Sequence, residues 1–191
     1  MNEELGTIDL CYRFSITRTS KHSPARLWRA ITDSTEVARW MSCPRARVDL
    51  RVGGEYHVSF LEDDSDALDG VIVAIEPERL LRYAWGTSVV DWAMEPASGG
   101  CTHTFSQNGL ASRDIADEEG LVAGWHAWFE DLDNYLDSQP APLPGEQFGS
   151  EPLWFEQDRA RWLELGRLYR PLLRQALGDA LKGPDERLIN R

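Results

Sequence analysis

From Ile8 to Ile16 the apolar residues Ile8, Leu10, Tyr12, Phe14 and Ile16 alternate with Asp9, Cys11, Arg13 and Ser15. Alternation with a period of two puts every second side chain on one face, so this stretch predicts a strand with one buried side. Ser23-Pro24-Ala25-Arg26-Leu27-Trp28 then opens a helix. The serine hydroxyl suits the cap, and proline suits the first helical position, where no amide hydrogen is needed. That helix should end near Ile31. Asp33 or Ser34 caps a second short helix, which closes near Trp40-Met41 ahead of Cys43-Pro44.

A long run of short strands follows. Val48, Leu50 and Val52 alternate with Arg47, Asp49 and Arg51, and Gly53-Gly54 marks a tight turn or bulge. Tyr56, Val58 and Phe60 continue the alternation, and the acidic stretch from Glu62 to Asp69 reads as a solvated loop. Val71 to Ile75 and Leu81 to Trp85 flank the turn Glu76-Pro77-Glu78. Val90 to Met94 pairs across Pro96 to Gly100 with Thr102 to Gln107. Strands in sequence order joined by turns predict an antiparallel meander. Its inward face should carry Leu10, Tyr12, Phe14, Val48, Leu50, Tyr56, Val58, Phe60, Leu81, Tyr83, Trp85, Trp92, Met94, His103 and Phe105. Arg82 should lie on the outer face.

The clearest helix spans roughly Glu118 to Asp137. Leu121, Trp125, Trp128, Phe129, Leu132 and Leu136 fall at helical spacing on one wide face. Such a face needs burial, and the sheet is the large surface available to cover it. Gly124 beside Trp125 would let helix and sheet approach closely. Residues 139–153 are rich in proline and glycine and read as a stiff linker between a domain of residues 1–138 and a helical extension of residues 154–191. In that extension, starting near Phe155, Trp162, Leu165, Tyr169, Leu172 and Ala176 recur at helical spacing. Pro171 should kink or split it.

Composition narrows the function. A formal net charge of −12 repels nucleic acid phosphates and anionic membrane surfaces. No apolar run approaches the roughly 18 residues of a membrane span, and the acidic start Met1-Asn2-Glu3-Glu4 lacks a signal peptide's basic and apolar regions. The three scattered cysteines, Cys11, Cys43 and Cys101, have no zinc-site spacing and read as reduced thiols of a cytoplasmic protein. Asp64, Asp66 and Asp69-Gly70 have the composition of a calcium loop, but Ile75 stands where its final glutamate belongs. No metal site, cofactor motif, phosphate loop or nucleophile elbow is expected. Oligomeric state, monomer or weak dimer, is open.

Several stretches resemble a known family: Ser23 to Asp33, Val37-Ala38-Arg39-Trp40, Arg51-Val52-Gly53-Gly54-Glu55-Tyr56, Gly70 to Pro77, Leu80 to Trp85, and Gly124-Trp125-His126 with Leu132. In order, over about residues 8 to 138, they are similar to the START/SRPBCC (Bet v 1-like) superfamily, in the branch of Hsp90 ATPase activator homologues. The resemblance implies an α+β helix-grip fold: a curved antiparallel sheet wrapped around a long C-terminal helix, with two short helices after the first strand. The helical extension also looks like a tail that longer members carry. Aligned with such relatives, His103 takes an inward position and Gln107 stands where a histidine is usual.

The helix-grip fold that the resemblance implies tends to leave space between sheet and helix, and many inward aromatics with few inward charges would line it as a pocket. Its candidate lining is Trp28, Trp40, Tyr56, Val58, Phe60, Tyr83, Trp85, Trp92, Met94, His103, Phe105, Gln107, Leu121, Trp125 and Phe129. Each tryptophan taken alone reads first as core filling, since its ring buries about 150–250 Å². His103 could orient a ligand or act as a general base, or it could be satisfied by a buried neighbour. His22, His57 and His126 should be surface residues. The leading expectation is binding of a small lipophilic or aromatic molecule. Catalysis of the polyketide cyclase, dehydratase or hydrolase type is the first alternative, and would lean on His103 with an inward tyrosine. A protein-interaction or Hsp90 co-chaperone-like role is the second, although co-chaperones of that name carry an additional N-terminal domain and the fold here starts by about residue 8.

Overall fold

The computed structural model describes residues 5, 7–9, 13–61, 63–65, 67–109, 119–138 and 159–177. Strands β1 (Thr7–Asp9) and β2 (Arg13–Ser20) are followed by helices α1 (Pro24–Thr32) and α2 (Ser34–Trp40). Then come β3 (Arg45–Val48), β4 (Glu55–Ser59), β5 (Leu68–Glu76), β6 (Leu80–Trp85), β7 (Ser88–Ala97) and β8 (Gly100–Asn108). Helices α3 (Glu119–Asp137) and α4 (Arg159–Leu177) complete the described elements. The strands form one eight-stranded antiparallel sheet in the order β1-β2-β8-β7-β6-β5-β4-β3. The six strands after α2 therefore run as a meander, and β2 closes onto its last strand.

Local chemistry sets the elements. Ser23 Oγ accepts the Arg26 amide at 3.2 Å, with Pro24 opening α1. Asp33 both ends α1 and caps α2, accepting the amides of Thr35 and Glu36 at 3.0 Å. Satisfying these end amides typically stabilises a helix by about 1 kcal/mol. Gly99, at φ +83°, turns β7 into β8.

Period-two alternation reads the inward face correctly along β4, β6, β7 and β8. Tyr56, Val58, Phe60, Leu81, Tyr83, Trp85, Trp92, Met94, His103 and Phe105 are all buried. Phe14 on β2 is buried too, Val48 on β3 is half-buried, and Arg82 is exposed, paired with Asp91 on the outer face. Leu10 and Tyr12 lie outside the described residues. Each large apolar side chain withdrawn from water contributes about 1.5–3 kcal/mol, so these faces hold the sheet against α3.

Three expectations fail. The predicted strand from Ile8 to Ile16 is two strands, because β1 pairs antiparallel with β2 and Ile8 stands opposite Phe14. Leu50 is not inward: β3 ends at Val48, and Leu50 and Val52 are 42% and 64% exposed. The Gly54 carbonyl accepts the Ile72 amide at 2.8 Å, and a Cβ on Gly54 would fall 2.0 Å from the Asp49 carbonyl oxygen. That close approach turns the chain at 49–54 and ends the alternation. Gly124 faces α4, not the sheet, with Trp162 Nε1 3.8 Å from where its Cβ would stand. Of the two outcomes expected at Pro171, the split does not occur, since α4 continues through it to Leu177.

Helix α4 packs on α3, burying Leu165, Tyr169 and Leu173. The Tyr169 ring meets Phe14 edge-on at 5.9 Å, and Arg161 reaches Glu130 of α3 at 2.5 Å. The proposed linker lies outside the described residues.

Candidate functional site

Between the sheet and α3 the inward aromatics form a continuous wall. Trp92 of β7 meets Trp40 of α2 at 6.1 Å, Phe105 of β8 at 5.1 Å and Phe129 of α3 at 5.2 Å. Phe105 touches Trp125 at 4.1 Å, and Trp125 meets Trp85 edge-on at 5.5 Å. Tyr56 and Tyr83 stack at 4.2 Å beside Trp85, and Phe60 stacks on Trp128 at 5.4 Å. Phe60 and Trp85 each keep 8% exposure and Trp128 is partly exposed, so the wall reaches the surface there. Trp28 and Leu121 are half-buried at the margin of the cluster. The structure thus brings together most of the candidate lining, with Trp28 set apart from the ring contacts.

Polar atoms on this wall fall into two groups, committed and unused. Indole nitrogen can only donate, so Trp125 Nε1 at 2.8 Å from Gln107 fixes the amide oxygen as its acceptor. Gln107 Nε2 then donates to Ser88 Oγ at 2.8 Å, and Ser88 donates to the Trp85 carbonyl at 2.9 Å. Gln107 therefore pins Trp125 to β7 and β8. Trp40 donates to the Ala30 carbonyl at 2.9 Å and the Tyr56 hydroxyl to that of Ile31 at 3.1 Å, tying α1 to the wall. Burial raises both the Tyr56 and Tyr83 phenols above the ordinary tyrosine range, so both stay protonated.

His103 stands in the other group. It is wholly buried, lies near-parallel to Phe129 at 5.6 Å and to Trp92 at 6.5 Å, and neither ring nitrogen has a hydrogen-bond partner among the described residues. Burial, with the positive charge of Arg18 adding to it, lowers its pKa to about 4. The imidazole is therefore neutral at physiological pH, with one donor and one acceptor unused. Trp85 Nε1 is likewise buried without a hydrogen-bond partner among the described residues. Trp92 Nε1 makes no bond of normal geometry, although it leans towards the Tyr83 hydroxyl and tempers the rise of that pKa.

Two histidines expected at the surface are buried. His57 points to the outer face of β4, but Asp64 and Asp69 cover it. Its Nδ1 lies 2.6 Å from Asp69 and its Nε2 3.7 Å from Asp64, which Arg45 holds at 2.5 Å. His126 is fully buried because α4 widens the covered face of α3. Its spacing was the available signal, four residues after Val122 and three before Phe129. His22 is only partly exposed, its Nε2 2.8 Å from Asp137.

Arg18 was missed altogether. It follows Phe14 and Ile16 on the inward parity of β2 and stands opposite His103 in the β2–β8 ladder, contrary to the expectation of few inward charges there. Its Nη2 donates to His126 Nε2 at 2.6 Å. Arginine has no acceptor, so His126 carries its proton on Nδ1 and directs it to the Tyr169 hydroxyl at 2.8 Å. Among the described residues no cluster of three or more acidic, histidine or cysteine side chains could hold a metal ion. None of their helices is long and apolar enough to cross a membrane. Cys43 and Cys101 are buried free thiols, and Cys11 lies outside the described residues.

An antiparallel sheet gripping one long helix, with an aromatic seam between them, defines a helix-grip protein. Residues 21–137 match the model of the Activator of Hsp90 ATPase homolog 1-like protein family, and the chain belongs to that family. No curated protein matches it. Among solved structures it is similar to protein MLL2253 from Mesorhizobium loti, at 26% identity over 68% of this chain and 99% of that one, with a TM-score of 0.59. CalU16 from Micromonospora echinospora shares the fold at 19% identity over 84% of this chain and 88% of its own, TM-score 0.63. An AHSA1-like protein from Aeromonas hydrophila shares it at 22% identity over 71% and 98%, TM-score 0.56.

Proposed function

We propose that the protein binds a small lipophilic or aromatic molecule between the sheet and α3. The observation that supports this most directly is His103, a wholly buried imidazole among aromatic rings whose two nitrogens have no partner among the described residues. An unmade buried hydrogen bond costs about 1–3 kcal/mol. Native proteins seldom carry that cost unless a water or ligand completes the site. Around His103 the wall of Trp92, Phe105 and Phe129 is apolar, the setting in which a few placed polar atoms orient an otherwise hydrophobic guest.

Binding is favoured over catalysis by the same residue. A general base works best with a pKa near the operating pH, and His103 is held at about 4. It is neutral and able to hydrogen-bond, but a weak base. The ring system also makes tryptophan a built-in reporter, since Trp85, Trp92 and Trp125 all belong to the wall. Titration with a panel of flavonoids, fatty acids and polycyclic aromatics should change tryptophan emission and raise the melting temperature. Micromolar affinity, about −8 kcal/mol, is the expected range. If no member of the panel alters either signal at its solubility limit, the proposal fails.

A further inference from the structure

We propose that Arg18 and His103 read a carboxylate, so that the ligand is a lipophilic acid rather than a neutral lipophile. This rests on the binding reading above and narrows it to a chemical class. The two residues are direct partners across the β2–β8 ladder, and both occupy inward positions. Arg18 is half-buried, and a partly desolvated guanidinium is costly unless its charge is met. Here its hydrogen bond goes not to a carboxylate but to the imidazole of His126, at Nε2. Its Nε is buried with no hydrogen-bond partner among the described residues, and the facing imidazole of His103 has both nitrogens in the same state.

The charged groups nearby leave that cation available. Glu130 of α3 is engaged by Arg161 at 2.5 and 3.0 Å, and its Oε1 also lies 3.7 Å from His126 Nε2, the nitrogen that Arg18 contacts. Asp133 of α3 acts on Arg18 only through space: burial raises its pKa and the guanidinium charge opposes the rise. Neither is in salt-bridge contact with Arg18. His22 and Asp137 are paired with each other further along, where Lys21 also holds Asp137. Meanwhile His126, held from behind by Tyr169, fixes the guanidinium in place. A guanidinium held so offers paired N–H groups that match the two oxygens of a carboxylate, and its bonds to an anion are about twice as strong as neutral ones. An imidazole N–H beside it can share one of those oxygens. A neutral alcohol has a single oxygen, which cannot span the guanidinium fork, and no charge to meet that of Arg18.

Matched probes separate the acid from its body. The full chain is titrated near neutral pH with dodecanoate against dodecanol, and with naphthoate against naphthylmethanol, reading tryptophan emission and thermal shift. The acid of each pair should bind at least about ten-fold more tightly than the alcohol, the gain expected from one charge-assisted bond. Arg18→Gln should collapse that ratio to about one. Should the variant fold poorly, the wild-type Arg18 Nε–H resonance decides instead: naphthoate should shift it and naphthylmethanol should leave it in place. Equal binding of acid and alcohol, a preference that survives Arg18→Gln, or an unmoved Nε–H resonance overturns the assignment while the lipophile reading stands. If neither probe of either pair binds, both readings fall.

Discussion

Trp125 on α3 donates its indole N–H to Gln107 on β8 at 2.8 Å, and the amide passes the bond on to Ser88 of β7. This relay fixes the ring that links Trp85 to Phe105 across the seam. Removing the ring by Trp125→Ala should cost about 3–5 kcal/mol, the range for a buried aromatic truncated in a core. Gln107→Leu keeps the volume but leaves the indole N–H without its acceptor, at about 1–3 kcal/mol. Urea unfolding of both variants measures the two costs. A Gln107→Leu protein as stable as wild type would mean that the relay adds nothing to the packing.

Much of this seam was legible because strand parity survives wherever pairing is regular. Tyr56, Tyr83, Trp92 and His103 follow from alternation alone. Two of the errors share one cause, which is that alternation carries no information about where a strand stops. Ile8 and Phe14 obey one parity, yet stand opposite each other on two antiparallel strands. Leu50 keeps the parity of Val48 but falls in a turn set by a backbone contact at Gly54. His57 lies on the outer face as expected and is still covered, by Asp64 and Asp69. Arg18 sat on a readable parity, but a charge at an inward position has no local signature. Its role depends on His126, 108 residues away.

The entry to β8 tests close backbone approach. A Cβ on Gly100 would lie 1.9 Å from the Ser20 carbonyl oxygen, at the end of β2. No rotamer relieves a clash with backbone, so Gly100→Ala must push β2 and β8 apart. The change should lower stability by more than the roughly 0.5–1 kcal/mol usually spanned by a glycine–alanine exchange. Thermal melting compares the variant with wild type. An unchanged or raised melting temperature would show that the strand ends yield freely.

His103 should make stability fall in mild acid. Its folded pKa of about 4 lies below the ordinary histidine value of 6.5. Between these values the unfolded chain binds the proton and the folded chain does not, so unfolding gains favour as pH drops through this window. The loss is about 2 kcal/mol between pH 6.5 and 5, and about 3 kcal/mol by pH 4. His103→Leu should flatten this part of the stability–pH curve. Denaturant midpoints taken along the window provide the check, and a variant curve parallel to wild type would assign the slope to other groups.

Tyr169 tests whether α4 is part of the core or a detachable appendage. Its ring is fully buried against Phe14, and its hydroxyl meets Nδ1 of His126. Tyr169→Phe keeps the ring and removes only the acceptor of the His126 proton, so it should cost about 1–3 kcal/mol. Tyr169→Ala also opens a void over Phe14, and about 3–5 kcal/mol is expected. Because His126 in turn holds Arg18, the loss should not stay on α4. The Arg18 Nε–H resonance should broaden or shift in both variants, although Tyr169 lies on another element. If Tyr169→Ala melts like wild type and leaves that resonance unchanged, α4 is an independent extension, and the chain of contacts from α4 through α3 to β2 carries no coupling.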